Sequence, residues 1–305
     1  MDVKSKIKAY IDLTRAHFAI VWPLLFSAGL LLAFQKYGNF SLALFFTVFF
    51  IGLFGFEAGM VLNDIVDYKI DELDTDDDTL TNYWRPFNER PIPSGKVALW
   101  EAILIFGIFA FIAAFLIALL PLPNMIYIYI IMVYAYSMEI FYSLKKRNQR
   151  FPIAQLLGRT DLTFFPVAGY LCFGPLDFTI IFIILFLYPW ALAHLAANDI
   201  VDIKNDTAKG FNTIASLYGI EGNVKWILGF SIAHIITATI LVIFELGIIG
   251  LVGFLIGFVI LIIANVIILK GKSPAAGMKD LPLFHISLLT YIISIFLNYF
   301  LGWLI

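Results

Sequence analysis

Residues 41–71 read SLALFFTVFFIGLFGFEAGMVLNDIVDYKID. An apolar run of the length that crosses a bilayer as a helix, roughly 20 residues, ends here in one asparagine and three aspartates. The closing peptide occurs twice. Residues 63–71, NDIVDYKID, and residues 198–206, NDIVDIKND, agree at seven of nine positions, at a constant offset of 135 residues. Asp64, Asp67 and Asp71 are spaced i, i+3, i+7, as are Asp199, Asp202 and Asp206. On a helix this spacing sets three carboxylates on one face. Two such faces brought together make a strongly acidic pocket that needs a cation to be stable.

The rest of the chain says where that pocket sits. Of 305 residues, 61% are hydrophobic and only 14% charged, against about 25% charged in a soluble domain. The mean hydropathy is +0.92. The apolar runs do not alternate with polar residues, which excludes a β-barrel. The expected fold is all-α: a polytopic bundle around a central cavity, capped by cytoplasmic loops, with 1–305 as one domain. Nine spans are expected, at roughly 17–35, 41–62, 98–121, 124–143, 152–174, 178–198, 223–244, 247–269 and 284–305. The segment before them, residues 1–18, lacks a signal-peptide pattern and reads as a short amphipathic helix on the membrane surface. The single cysteine, Cys172, rules out an internal disulfide and reads as a small apolar filler. The net charge of −2 singles out no partner, and no nucleic acid is expected.

Lysine and arginine set the orientation. Of the 20 in the chain, 18 fall in the N-terminal segment or in the loops after spans two, four, six and eight. The N-terminus is therefore expected in the cytoplasm and the C-terminus outside. Both aspartate motifs then lie at the cytoplasmic ends of spans two and six, which run the same way, so the repeat is parallel. The longest polar segment, 63–97, lies on that side, and a loop of this length and charge is more often functional than passive.

Carboxylates arranged so attract a divalent metal. Mg²⁺ takes oxygen ligands and is commonly held by one or two carboxylates together with substrate phosphates. The expected ligand set is Asn63, Asp64, Asp67, Asp71, Asn198, Asp199, Asp202 and Asp206, with the six aspartates as the catalytic set. Cations stand nearby in sequence: Arg85, Arg90 and Lys96; Lys145, Lys146 and Arg147; Lys204 and Lys209. A diphosphate held by metal and by arginine or lysine becomes a good leaving group, because its developing charge is neutralised. At the mouth of an apolar bundle, the matching substrate has a diphosphate head and a greasy tail, as a polyprenyl diphosphate has. A carrier of diphosphate lipids and a cation transporter are the readings from other classes. Transporter sites, however, lie near the bilayer midplane on broken helices.

These residues carry a family resemblance. Asn63-Asp64-x-x-Asp67-x-x-x-Asp71 resembles the NDxxDxxxD motif of the UbiA superfamily of intramembrane prenyltransferases. Arg90-Pro91-Ile92-Pro93-Ser94-Gly95 resembles its RPxxSG, and Tyr142-Ser143-x-x-Lys146 its YSxxLK. Asp199-x-x-Asp202-x-x-x-Asp206-x-x-Lys209-Gly210, followed by Thr213, resembles its second aspartate motif. Arg15 in LTRAHF resembles the arginine of its entry motif LxRP, with Ala16 in place of proline. The family sets RPxxSG closer to the first motif; here residues 72–89 intervene, with Asp74, Asp76, Asp77 and Asp78, and a solvated loop is expected there. The resemblance implies nine helices and a Mg²⁺-dependent transferase that ionises a polyprenyl diphosphate at its allylic C1. An electron-rich acceptor attacks the carbocation. It further implies diphosphate binding by Arg15, Arg90, Tyr142, Lys146, Arg147 and Lys209. The acceptor is expected to be an aromatic or quinone precursor, with the geranylgeranylglyceryl phosphate of archaeal ether-lipid synthesis as the alternative.

Polar residues within the spans are costly and usually functional. Glu57, Glu139, Gln155, Arg159, Asp161 and His194 are expected to form a layer about 5–15 Å below the motifs, at ~1.5 Å per helical residue. Glu57, Glu139, Arg159, Asp161 and His194 are the expected acceptor-binding set. Gln155 and Arg159 should share a helix face, whereas Arg159 and Asp161 should not face each other. A buried pair of Arg159 with Glu57 or Glu139 is the competing structural reading. Among 31 Phe and 14 Tyr, those near the motifs, such as Tyr68, Tyr134, Tyr142 and Phe164, are candidates for cation–π contact with a carbocation.

Overall fold

The computed structural model describes residues 2–74, 79–87 and 90–302, which form thirteen helices and, among the described residues, no strand. Asp76, Asp77 and Asp78 of the acidic run lie outside them, as do the last three residues of the expected final span.

The order is α1 (Val3–Leu13), α2 (Val21–Tyr37), α3 (Leu42–Asp71), α4 (Thr79–Trp84), α5 (Leu99–Ile117), α6 (Asn124–Lys145) and α7 (Ile153–Gly158). Then come α8 (Thr160–Leu171), α9 (Phe178–Val201), α10 (Ile203–Ala208), α11 (Ile214–Glu245), α12 (Ile248–Gly271) and α13 (Pro274–Leu301). Side-chain caps start three of the long ones, α3, α9 and α13. Ser41 Oγ accepts from Leu44 N at 3.2 Å, Asp177 Oδ1 from Thr179 N at 3.0 Å, and Ser273 Oγ from Ala276 N at 3.2 Å. Each cap satisfies an amide that the first helical turn leaves open.

Among the described residues seven helices, α3, α5, α6, α9, α11, α12 and α13, are long and apolar enough to cross a membrane. The protein is an integral membrane protein. The other two expected spans are shorter. The first begins as turns, so α2 has only 17 residues. The fifth breaks at Arg159 into α7, of six residues, and α8, of twelve. That break corrects the expected helix face shared by Gln155 and Arg159.

Close helix approach depends on small residues. A Cβ on Gly29 of α2 would run into the Pro166 carbonyl of α8, and one on Gly169 of α8 into the Phe26 carbonyl of α2. Without side chains at these two positions the helices pack backbone to backbone. Elsewhere α3 packs on α5, α9 on α11, and α12 on α13. Outward residues such as Phe111, Ile130 and Ile236 are well exposed, as helices facing lipid require. The α1 helix lies on α3 and α5 through Ala9, Leu13, Val61 and Ala102.

Candidate active site

The first motif closes α3, and the second begins at the end of α9 and runs into α10. Because Lys209 Nζ, just past the second motif, lies 2.9 Å from Asp71 Oδ1 of the first, the two helices end at the same mouth. The mouth opens on one cavity of about 340 Å³. Asn63, Asp67 and Asp71 line it from α3, and Asn198, Asp199, Asp202 and Asp206 line it from the other side. The repeat therefore builds two facing walls of one site.

The two walls differ. Every first-motif aspartate is held by two basic side chains. Asp64 meets Arg15 at 2.9 Å and Arg85 at 2.9 Å. Asp67 meets Lys146 at 2.7 Å and Arg147 at 2.8 Å. Asp71 meets Arg90 at 2.7 Å and Lys209 at 2.9 Å. Arg90 and Lys209 also both pair with Asp74. Burial and Arg90 press the Lys209 ammonium toward neutrality, but Asp71 and Asp74 outweigh them and its pKa is raised. On the second wall, neutral donors serve: Ile214 N reaches Asp199 at 3.0 Å, Thr213 Oγ1 reaches Asp206 at 2.9 Å, and Asn205 Nδ2 reaches Asp202 at 2.8 Å. Burial, then the charges of Asp199 and Asp202, push the Asp206 carboxyl well above the ordinary range. Here α9 ends at Val201 and α10 begins at Ile203, so the second motif is not one continuous helix face.

Two of the expected residues, Asp64 and Glu57, do not line the cavity. At ~100° per residue Glu57 sits about 120° around α3 from Asn63, whereas Asp64 lies only ~20° from Asp71 and is taken up by Arg15 and Arg85. Asp64 instead stands behind the wall and orients Arg15 and Arg85, which do line it. Glu57 borders a small side pocket with Arg15, Trp22 and Trp84, which takes it out of the expected polar layer. Arg147 likewise reaches Asp67 from outside the lining.

The remaining layer does assemble. Glu139, Tyr142, Arg159, Asp161 and His194 all line the cavity. The Arg159 guanidinium lies 4.1 Å over the Tyr142 ring and pairs with Glu139 at 3.4 Å and Asp161 at 3.6 Å. The Asp161 contact corrects the expectation that the two would not meet. The break at Arg159 abolishes the i, i+2 helix geometry on which that expectation rested. The Glu139 pair is the competing ion pair raised from the sequence. Asn63 Nδ2 donates to the same Glu139 at 2.7 Å. Gln155 is buried against Gln149 and does not line the cavity.

Of the four aromatic candidates only Tyr142 lines the cavity. Tyr68 packs toward α1, and Tyr134 bonds Thr160 and meets Phe164 edge-on. The aromatic wall is instead Trp22, Phe26, Phe56 and Phe165. Trp22 stacks on Phe56 at 4.5 Å, and Phe165 meets Phe56 at 5.6 Å and Phe26 at 4.9 Å. Sequence reasoning also missed α4. Trp84 Nε1 donates to Asn198 Oδ1 at 3.1 Å. Tyr83 OH lies 2.6 Å from His285 Nδ1, and His285 Nε2 lies 2.9 Å from His194 Nε2. The signal was the cluster TNYW inside a polar loop, which carries no helical period.

Among the described residues no three acidic, histidine or cysteine side chains converge into a ready-made metal cage. The donors are hard carboxylate oxygens on two facing walls, which suits Mg²⁺, an ion that shares its shell between one or two carboxylates and a phosphate ligand.

A model described as the UbiA prenyltransferase family matches residues 20–289. The digeranylgeranylglyceryl phosphate synthase of Thermococcus kodakarensis is 27% identical over 223 residues, 70% of this chain and 70% of that protein. The 4-hydroxybenzoate octaprenyltransferase of Vibrio atlanticus is 28% identical over 221 residues, 70% of this chain and 71% of that protein. A UbiA homolog from Archaeoglobus fulgidus bound to GPP and Mg²⁺ has the same fold. Its TM-score is 0.70 at 17% identity, covering 94% of this chain and 99% of that one.

Proposed function

The chain belongs to the UbiA prenyltransferase family, and we propose that it transfers the prenyl group of a polyprenyl diphosphate to an aromatic or quinone-precursor acceptor inside the membrane. The carrying observation is the convergence of both aspartate motifs and the cations Arg15, Arg85, Arg90, Lys146 and Lys209 at the mouth of an apolar cavity. The bound structure of the Archaeoglobus homolog supports a prenyl diphosphate donor with Mg²⁺.

Asp67 and Asp71 on one wall, and Asp199, Asp202 and Asp206 on the other, would hold Mg²⁺, with Asn63 and Asn198 beside them. Bound there, Mg²⁺ neutralises negative charge that builds on the leaving diphosphate. Lys146, Arg90, Lys209 and Arg15 offer hydrogen bonds to the diphosphate oxygens, with Arg147 behind Asp67. These are partly buried donors held in place by the first-motif aspartates, and donors fixed beside developing charge lower a barrier strongly. The C1–O bond breaks, the electron pair leaves with the diphosphate, and the allylic cation faces Tyr142 and the aromatic wall. The acceptor's electron-rich atom then bonds to C1 and loses a proton.

Arg159 over Tyr142 makes a flat, cationic corner that fits a ring bearing a carboxylate. A glycerol-phosphate lipid acceptor is the second reading. The similarity to the Thermococcus synthase favours it, as does the surplus of cations around the first motif. The positive charge in the sequence further supports an active site facing the cytoplasm, with the N-terminus inside and the C-terminus outside.

The test is diphosphate release from farnesyl and geranylgeranyl diphosphate in nanodiscs with Mg²⁺ and a panel of aromatic acids, quinone precursors and geranylgeranylglyceryl phosphate. Acceptor-dependent release identifies the acceptor. No release with any of them, alongside Mg²⁺ flux in vesicles, would replace the enzyme reading with a transporter.

A further inference from the structure

Two glycines on α3 face the cavity and not a neighbouring helix. Gly29 and Gly169 exist for helix contact, and a Cβ on Gly52 or Gly158 would likewise press on Phe26 or Tyr142. A Cβ on Gly55 meets nothing within 4 Å, and one on Gly59 meets only the Tyr136 ring at 3.9 Å. Both glycines line the cavity, so the open space beside them is its lumen. Each costs a helix interior about 1 kcal/mol relative to alanine, and no packing need offsets that cost. Tyr136 of the adjoining helix α6 also lines the cavity and donates to the Gly55 carbonyl at 3.1 Å, which pins that wall to α3.

Below them the cavity ends. Ile51, Ile117 and Ile128 line it and are 3%, 0% and 2% exposed, so the far end is closed by core residues. The depth follows from α3, which is helical throughout. With the head group at Asp67 and the first tail carbon one turn lower at Asn63, Gly59 lies ~6 Å, Gly55 ~12 Å and Ile51 ~18 Å further down. Extended chain covers ~3.5 Å per three bonds, so the four bonds of an isoprene unit take ~4.7 Å. The floor therefore admits about four units.

We propose that Gly55 and Gly59 are the graduations of a tail-length ruler with its stop at Ile51, Ile117 and Ile128, and that the donor carries a four-unit, C20 tail. This rests on the donor assigned above. At ~4.7 Å per unit, a side chain at Gly55 cuts the passage to between two and three units, and one at Gly59 to about one. Trimming Ile128 lengthens it.

The experiment is equilibrium binding of non-reacting geranyl, farnesyl, geranylgeranyl and geranylfarnesyl thiolodiphosphates, with Mg²⁺, to protein in nanodiscs. It needs no acceptor. Wild type is expected to prefer the C20 analogue and to bind C25 at least tenfold more weakly. In Gly55→Leu the preference moves to C15 or C10, in Gly59→Leu all four analogues bind more weakly with C10 losing least, and in Ile128→Ala the penalty on C25 falls. Gly107→Leu, where a Cβ also meets nothing but the residue lies off the cavity, keeps the wild-type order. Glycine to leucine raises helix propensity, and the floor variant tests the idea in the opposite direction. Equal order in wild type and all variants, or C25 bound as well as C20, overturns the ruler while leaving the donor assignment intact. No binding of any analogue to wild type overturns both.

Discussion

Lys209 Nζ lies 2.9 Å from Asp71 Oδ1, and this bond ties the end of the second aspartate motif to the end of the first. A basic residue supplied by one half of the repeat thus serves an acidic residue of the other. Lys209 is nearly buried, and its other partner is Asp74. Lys209→Met removes a charge-assisted donor worth about 1.5–3 kcal/mol. KM for the donor should rise roughly 10- to 100-fold at that energy, with a smaller change in KM for the acceptor. Steady-state kinetics with each substrate varied in turn checks it.

Asp206 gives the site a pH dependence. Burial and its neighbours Asp199 and Asp202 raise its pKa well above the ordinary carboxylate range, so it holds its proton to higher pH than an ordinary carboxylate does. A metal ligand must lose that proton first. The Mg²⁺ concentration for half-maximal activity should therefore fall as pH rises. Asp206→Asn, which has no proton to lose, should show a weaker site and a flatter dependence. Mg²⁺ titrations at a series of pH values read both.

Arg159 separates the acceptor from the donor. Its guanidinium lines the cavity below the motifs and stacks on Tyr142 at 4.1 Å. Arg159→Lys keeps the charge but loses the planar fork. It should raise KM for the acceptor at least tenfold and leave binding of a non-reacting prenyl thiolodiphosphate within about twofold. An unchanged acceptor KM in folded protein would reduce Arg159 to the partner of Glu139 and Asp161.

Helix crossing at Gly29 and Gly169 is a matter of stability, not chemistry. A Cβ at Gly29 meets the Pro166 backbone oxygen, which cannot rotate away as a side chain can. Gly29→Val should cost about 3 kcal/mol, at the upper end of overpacking penalties, and lower the midpoint of unfolding in detergent. Gly229→Val, where a Cβ meets nothing, should leave it near the wild-type value. Thermal or denaturant unfolding by circular dichroism distinguishes them.

The helical class and both aspartate walls were legible because apolar runs and a repeated nine-residue peptide are properties of consecutive residues. Arg159 shows where that legibility ends. Its contact with Asp161 exists because the helix breaks between α7 and α8, and no apolar periodicity marks the break. Glu57 lies at the expected depth on α3 but is turned about the helix axis away from the cavity. The link from Tyr83 through His285 to His194 joins α4, α13 and α9. Such pairings across 202 and 91 residues are set by tertiary packing, which a single sequence does not print.

The central claim is that two facing carboxylate walls act on one prenyl diphosphate. Its most direct test is acceptor-dependent diphosphate release from geranylgeranyl diphosphate in nanodiscs, with wild type, Asp67→Asn and Asp199→Asn compared at saturating Mg²⁺. The two-wall site predicts release by wild type and a loss of at least 100-fold in both variants, each with its fold intact by circular dichroism. Near-wild-type release by either variant would contradict it.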